Sequence, residues 1–303
     1  MTRILHVSDT HTAVPTRELP LREMVNKRLL GLGHLVVRRS RKFAESDKKI
    51  RKMADFAKDT LQADAVIHTG DFTALGTEEE MRAAREAMQC FDTVRLGLTV
   101  VPGNHDIYLS DSSYDSFELE FARYLVGDLK DAPVEGPFPF VRFLDSTTAV
   151  VMVNSARPNP QPWRSSGRIS DTQLKRLEEL LELEEVRRRF VIVGTHYAPR
   201  LESGRPDSIN HGLENADDFL GVCRRISFGA LVFGHVHRCY VVSVPSLNAP
   251  LFCAGSAVHD GHEGFWCFDV GSKRASARSG FWNGNAYQLS ERVTYIEPAV
   301  PSD

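Results

Sequence analysis

Five short motifs put metal-binding side chains beside a glycine or just past an apolar, strand-like run: Asp9-Thr10-His11, Gly70-Asp71, Gly103-Asn104-His105-Asp106, Thr195-His196 and Gly234-His235-Val236-His237. Together they hold enough Asp, Asn and His ligands for two adjacent metal ions, with one histidine left over. Mixed imidazole and carboxylate donors suit Mn, Fe, Co or Zn better than Ca or Mg alone. Such a pair lowers the pKa of bound water and clamps the attacking and leaving oxygens of an in-line displacement, which is the chemistry of phosphate-ester hydrolysis. Asp-x-His or Gly-Asp alone means little. Gly-Asn-His-Asp and Gly-His-Val-His, each after an apolar run, are far rarer. Turn glycines, Asx-turns and core histidines account for each motif singly, but not for all five in this order.

Ligands strung from Asp9 to His237 must meet at one point, and in α/β sheets that point lies beyond the carboxyl ends of the strands. Arg3–Val7, Ala65–His68, Leu98–Val101, Ala149–Asn154, Phe190–Gly194 and Leu231–Phe233 are short apolar, mostly β-branched runs with the periodicity of buried strands. Helical patterns separate several of them. Ser46–Leu61 opens on Ser46 and Asp47 as cap candidates, and Thr77–Cys90 carries Glu78, Glu79 and Glu80 in its first turn. Ser170-Asp171-Thr172-Gln173 reads as a capping box before Leu174–Leu183. The glycines at 70, 103 and 234 let the backbone turn sharply beside the metals. After residue 235 the pattern changes to strands joined by turns, at Tyr240–Val244, Pro250–Cys253, Gly264–Asp269 and Ala275–Phe281. Alternating α/β followed by a β-rich end implies two packed sheets with helices outside. There is no repeat and no long linker, and the motifs need nearly the whole chain, so residues 1–303 read as a single domain.

The formal charge of −3 over 303 residues gives no global reason to expect nucleic-acid binding. Five cysteines without CxxC spacing read as small hydrophobes of a reducing compartment, not as a disulfide framework. The N-terminus runs straight into a strand pattern with no signal-peptide core, and no apolar stretch approaches bilayer length, so a cytoplasmic protein is expected. One segment departs from the average. Between residues 20 and 42, Arg22, Lys27, Arg28, Arg38, Arg39, Arg41 and Lys42 face only Glu23 and are interleaved with leucines and valines. A basic amphipathic insert of this kind, at about 20–45, lies on an anionic membrane such as the inner face, docks on a partner, or packs on the domain with a solvated basic face.

The ordered set Asp9-x-His11, Gly70-Asp71, Gly103-Asn104-His105-Asp106, His196 and Gly234-His235-x-His237 resembles the calcineurin-like metallophosphoesterase family over about residues 2–260. The resemblance implies a four-layer α/β/β/α sandwich of two mixed sheets flanked by helices. It also implies that Asp9, His11 and His237 hold one divalent transition metal ion, that Asn104, His196 and His235 hold the other, and that Asp71 bridges the two. His105 is then the spare histidine beside the scissile phosphate, where an imidazolium stabilises charge or protonates the leaving oxygen. Asp106 either orients His105 or serves the turn. Hydrolysis by a metal-bridging hydroxide is the implied reaction.

Substrate is read from departures within that family. Gly70-Asp71 continues Phe72-Thr73-Ala74-Leu75 instead of the Val-Asp-Arg-Gly pattern of protein phosphatases, and Asp106 replaces their Glu. Ser8-Asp9-Thr10-His11, Gly70-Asp71-Phe72-Thr73 and the Gly103–Asp106 motif look more like the bacterial cyclic-nucleotide phosphodiesterase branch. His196-Tyr197-Ala198-Pro199 in place of His-His-Pro-Pro weakens cyclic AMP as the substrate. A small phosphodiester of nucleotide type is therefore the first expectation. The rival is a peripheral-membrane hydrolase of a lipid-linked nucleotide pyrophosphate such as UDP-2,3-diacylglucosamine, because Asn26–Gly31 resembles that branch. A catalytically silent scaffold would have lost ligands, and every position is filled. Arg157, Trp163 and His211 are the candidate substrate contacts. Arg164 and Arg168 belong rather to the exposed face of the same proline-rich loop, and His6, His34, His68, His259 and His262 carry no motif and read as structural or exposed.

Overall fold

A computed structural model describes residues 1–12, 45–109, 112–161 and 163–299, so the basic stretch at 20–42 lies outside the described residues. Three parallel strands, β1 (Thr2–Val7), β2 (Ala65–His68) and β3 (Leu98–Val100), start the first sheet. The second begins with β4 (Phe140–Phe143), antiparallel to β5 (Thr148–Met152), and continues through parallel β6 (Phe190–Gly194) and β7 (Gly229–Phe233). The β-rich end completes both. β8 (Cys239–Val242) and β9 (Leu251–Ala254) extend the second sheet, while β10 (Phe265–Val270), β11 (Ala275–Trp282) and β12 (Tyr287–Ile296) join the first against β1. The result is two six-stranded mixed sheets, ordered β12-β11-β10-β1-β2-β3 and β4-β5-β6-β7-β9-β8, with helices flanking them.

The central strands are buried on both faces, which is why they read as unbroken apolar runs. Their alternate residues serve two different cores. In β5, Val150 and Met152 join the inter-sheet core with Ile192 and Val232, while Ala149 and Val151 join Val191, Val193 and Leu231 under the outer helices. Among the described residues the α-helices of eight residues or more are α1 (Ser46–Asp55), α2 (Glu78–Met88), α3 (Ser112–Phe121), α4 (Asp171–Glu182) and α5 (Ala216–Cys223). Thr77 caps α2 with a full capping box to Glu80. At Ser170 only half of the anticipated box forms. Its hydroxyl accepts from the Gln173 N–H at 3.2 Å, but the Gln173 amide turns to the main chain of Asn154, accepting at 3.0 Å and donating at 3.3 Å. The glutamine thus satisfies the open end of β5.

Some elements differ from the sequence expectation. α1 begins after Glu45 without a side-chain cap, and its expected last turn, Phe56–Thr60, is a wider π turn. β4, β12, α3 and α5 have no counterpart in the apolar pattern. β12 is an edge strand whose outer residues are mostly exposed, so it lacks the hydrophobic signal that marks the central strands. All five cysteines are free thiols. Among the described residues no helix is long and apolar enough to cross a membrane.

Two histidines are structural. His68 Nδ1 accepts from the Gly70 N–H at 3.1 Å, so its proton sits on Nε2, 3.1 Å from the Thr10 hydroxyl, and its ring stacks on Phe72. His6 lies equally buried, 3.0 Å from the Thr69 hydroxyl. Burial lowers both rings to a pKa of about 3, with the Asp9 charge opposing only in part. The folded state keeps them neutral, whereas the unfolded chain protonates them near pH 6.5, so acid favours unfolding. Their stabilisation is complete above pH 6.5 and is lost towards pH 3, at about 1 kcal/mol per pH unit for each ring. Urea midpoints of metal-free protein should therefore fall between pH 7 and pH 5, and the fall should shrink in a His68→Gln variant. Equal slopes for the two proteins would remove this account.

Candidate metal centre

The carboxyl ends of β1, β2 and β3 meet those of β6 and β7 at one edge of the two sheets. Asp9 and His11 follow β1, Asp71 follows β2, Asn104 and His105 follow β3, His196 follows β6, and His235 and His237 follow β7. The turns carrying them are strained. Asp9, His11, Asp71, His235 and His237 have φ of 54°, 38°, 60°, 72° and 50°, and among the described residues Gln62 alone joins them as a non-glycine residue at positive φ. The left-handed region costs about 1–2 kcal/mol for each such residue, and strain of this kind clusters where geometry serves function. Two glycines are needed for close approach. A Cβ on Gly103 would lie 2.2 Å from Asp71 Oδ1, and one on Gly234 would lie 2.3 Å from Asp9 Oδ2. The turns are tied across the sheet by Asp9 N–H to Gly70 O and His11 N–H to Asp71 O.

Two groups of ligand atoms result, joined at Asp71. In the first, His237 Nε2 is 3.1 Å from Asp9 Oδ1 and 3.3 Å from His11 Nε2, and His11 Nε2 is 3.7 Å from Asp71 Oδ2. Ligand atoms of Asp9, His11, Asp71 and His237 all lie within 4.8 Å of one another. In the second, Asn104 Oδ1 is 2.8 Å from His235 Nδ1 and 3.1 Å from His196 Nε2, which is 3.5 Å from Asp71 Oδ1. Asp71 therefore turns one oxygen to each group.

The protons show what the groups are built to hold. His11 Nδ1 donates to Thr73 O at 2.8 Å, His196 Nδ1 to Thr69 O at 2.6 Å, and His235 Nε2 to His211 O at 2.9 Å. A carbonyl only accepts, so in its neutral form each ring keeps its lone pair on the inward nitrogen. Lone pairs thus converge on lone pairs and carboxylates. Asp9 Oδ1 is buried and makes no hydrogen bond among the described residues, although His237 Nε2 lies 3.1 Å away. Such a convergence of acceptors suits divalent cations. Burial lowers the pKa of His196 and sends that of His235 well below its ordinary value, so both are uncharged near neutrality. Burial raises the Asp9 carboxyl, but the facing His237, together with His196 and the Ser8 hydroxyl, brings the pKa to about 2.

Asp106 does not orient His105. Its carboxylate accepts N–H groups from Gly103, Asp71, Phe72 and Thr73 at 2.8–3.0 Å, together with the Thr73 hydroxyl at 3.0 Å. It holds the Asp71 turn against the Asn104 turn. Burial, and then the Asp71 charge, push its carboxyl up to about 7 despite these donors. A cation held by Asp71 would offset the second of those causes. His105 is oriented by its own Nδ1–H to Ala74 O at 2.7 Å, with its ring centroid 5.1 Å from that of His11.

A cavity of about 500 Å³ opens over Asp71, Asn104, His105, His235 and His237. Its wall includes Tyr108, Asn159, Trp163, Arg164, Ser165 and His211. Trp163, 73% exposed, stands at the rim, and His211 lies over the His235 ring at 4.2 Å with Nδ1 2.6 Å from Asp207. Arg157 is not in the wall. It is drawn to Glu214 and the Ser166 hydroxyl, and Arg164, anticipated as ordinary surface, lines the cavity while also pairing with Glu214. Arg168 pairs with Asp171 on the surface. Tyr108 and Asn159 were not foreseen as wall residues. Tyr108 had a usable signal, two residues beyond the Gly103–Asp106 motif, whereas Asn159 and Glu214 had none.

A family model described as calcineurin-like phosphoesterase matches residues 2–239. A probable glycerophosphodiester phosphodiesterase GpdQ from Arcobacter nitrofigilis is 29% identical over 182 residues, which is 58% of this chain. The chain spans 57% of that relative's length. A dimetal phosphatase from Danio rerio superposes with a TM-score of 0.66 at 14% identity, covering 98% of this chain and 99% of that one. Purple acid phosphatase PPD1 from yellow lupin, Lupinus luteus, gives 0.59 at 11% identity, covering 98% of this chain and 54% of that one. At such identities the structural likeness speaks for the fold.

Proposed function

The chain belongs to the calcineurin-like phosphoesterase family, and from that premise we propose that it hydrolyses small phosphodiesters, of nucleotide type or related to them, with two bound transition metal ions. The observation that carries this reading is Asp71, whose two oxygens face two separate groups of imidazole, amide and carboxylate acceptors. In it Asp9, His11 and His237 hold one ion, Asn104, His196 and His235 the other, and Asp71 both; Mn, Fe, Zn and Co all suit the donors. When bound, the ions supply a nucleophile from water and neutralise the phosphate oxygens.

The remaining chemistry belongs to the protein. As an imidazolium, His105 donates Nδ1–H to Ala74 O and delivers its Nε2 proton to the leaving oxygen at the cavity floor, ending as the neutral ring. Arg164 and Trp163 line the cavity for the second ester arm, and the diester relative supports a substrate with two arms. The likeness to the cyclic-nucleotide branch stays at the level of motifs. Where that branch has a second histidine, this chain has Tyr197, buried, with its hydroxyl donating to Ser165 O at 2.6 Å and its ring 4.3 Å from that of His235. Tyr197 thereby spends its hydroxyl on holding the cavity wall, which leaves cyclic AMP a weaker substrate than a flexible diester. We read residues 1–303 as one domain, since the proposed ligands run from Asp9 to His237.

The basic stretch at 20–42 favours a second substrate, the pyrophosphate of a lipid-linked nucleotide presented at an anionic membrane surface. One assay separates the readings. Mn-loaded protein is given bis-p-nitrophenyl phosphate, p-nitrophenyl phosphate, a glycerophosphodiester, cyclic nucleotides and UDP-2,3-diacylglucosamine in parallel. Turnover of the diesters above the monoester is the expected result. Activity confined to the lipid nucleotide reverses the ranking, and activity on the monoester alone ends the diester reading.

A further inference from the structure

Of the four imidazoles proposed as ligands, three hand their outer N–H to a main-chain carbonyl: His11 to Thr73, His196 to Thr69 and His235 to His211. His237 differs. Its Nδ1 lies 3.2 Å from Nδ1 of His259, in the loop after β9. His259 is itself buried, 8% exposed, and its loop is braced on the same turn that carries Asp9. Ser256 Oγ donates to Asp9 O at 2.7 Å while accepting the His259 N–H at 3.0 Å, and Ala257 N–H donates to Ser8 O at 2.8 Å. Buried Lys49 holds the other side of the loop through Val258 O and pairs with Asp260 and Glu263. This scaffold sets one ring nitrogen against another at hydrogen-bonding distance.

We propose that His259 is a positioning residue for His237, accepting its Nδ1 proton so that His237 Nε2 is free to bind metal; this rests on the two-metal reading above. Two facing Nδ1 atoms share one proton between them, so two neutral arrangements exist. In one, His237 carries its proton on Nε2, towards Asp9 Oδ1, and His259 donates from Nδ1. In the other, His237 donates from Nδ1 and His259 carries its proton on Nε2. Each ring holds one proton in both, so the exchange changes neither charge nor proton count. A carbonyl partner allows only the second arrangement, whereas an imidazole partner allows both. Loading the first group of ligands needs the second.

The test is metal affinity, measured by competition with a chromogenic chelator on the full chain, together with ¹⁵N NMR of the Zn-loaded protein. Wild type is expected to take up two ions with His237 protonated on Nδ1 and His259 on Nε2. His259→Leu should weaken one of the two sites about 10–100-fold and spare the other, the usual effect of removing an outer partner of a ligand histidine. His259→Asn, whose side-chain oxygen can take the place of Nδ1, should recover most of that loss. Unchanged affinity in a folded His259→Leu protein overturns the inference, as does a Zn-loaded wild type with His259 protonated on Nδ1. A wild type that binds no ion instead sinks the metal reading, and this inference with it. If His259→Leu does not fold, the Asn variant and the wild-type spectra still decide.

Discussion

Changing Asp71 to asparagine should reduce turnover of the metal-supplemented protein by about 10³–10⁴-fold, since charge stabilisation by a metal pair is worth several kcal/mol and each 1.36 kcal/mol is tenfold. The substitution keeps the shape of the side chain. It can also keep the contact from the His105 N–H to Oδ1, which is 2.8 Å long. What changes is the other side-chain atom, from an anionic oxygen to an N–H donor facing the His11 lone pair 3.7 Å away. One ion should be lost, or both held weakly, by elemental analysis. A second consequence has the opposite sign. The Asp71 charge is one of the causes raising Asp106 to about 7, so removing it relieves a buried like-charge repulsion. The metal-free variant should therefore melt higher than metal-free wild type, by about 1 kcal/mol of stability, as expected where a functional site stores instability. Turnover within tenfold of wild type, with two ions bound, would falsify the shared role of Asp71.

His105→Ala should leave both ions in place and cost about 10²–10⁴-fold in kcat on diesters with poor leaving groups, the range for loss of a positioned general acid. His105 lies on the cavity floor and is oriented by Ala74 O, outside both groups of ligand atoms. Loss should be much smaller on bis-p-nitrophenyl phosphate, whose leaving group departs without a proton. That contrast separates an acid from a residue that merely supports the turn, which would depress both substrates alike. Equal loss on the two substrates, or loss of metal, would remove the acid role.

Much of the site was legible because strand ends and glycine turns are local features. An apolar β-branched run followed by Gly-Asp or Gly-Asn-His-Asp already states which side chain leaves the sheet edge and where the backbone can bend. The same locality explains why Thr77 and its capping box could be read before the fold was known. Legibility ended where a side chain's role depends on a partner far along the chain. Arg157 and Arg164 share one loop and one chemistry, yet only Arg164 reaches the cavity wall. Glu214, fifty residues away from Arg164, draws in both guanidinium groups, and nothing near Glu214 marks it as their anchor.

Residue types and their order were enough to bring out the phosphoesterase class and the two-sheet arrangement, because metal chemistry restricts the donors and strand periodicity restricts where they emerge. Only the tertiary structure decided that Asp106 holds a turn by accepting main-chain N–H groups instead of orienting His105. It alone brought His259 to His237 and set polar β12 at the sheet edge. The physical reason is the same in each case. Hydrogen-bond acceptors and edge strands are selected by what stands 3 Å or one strand away in space, and neither distance is written in a local pattern.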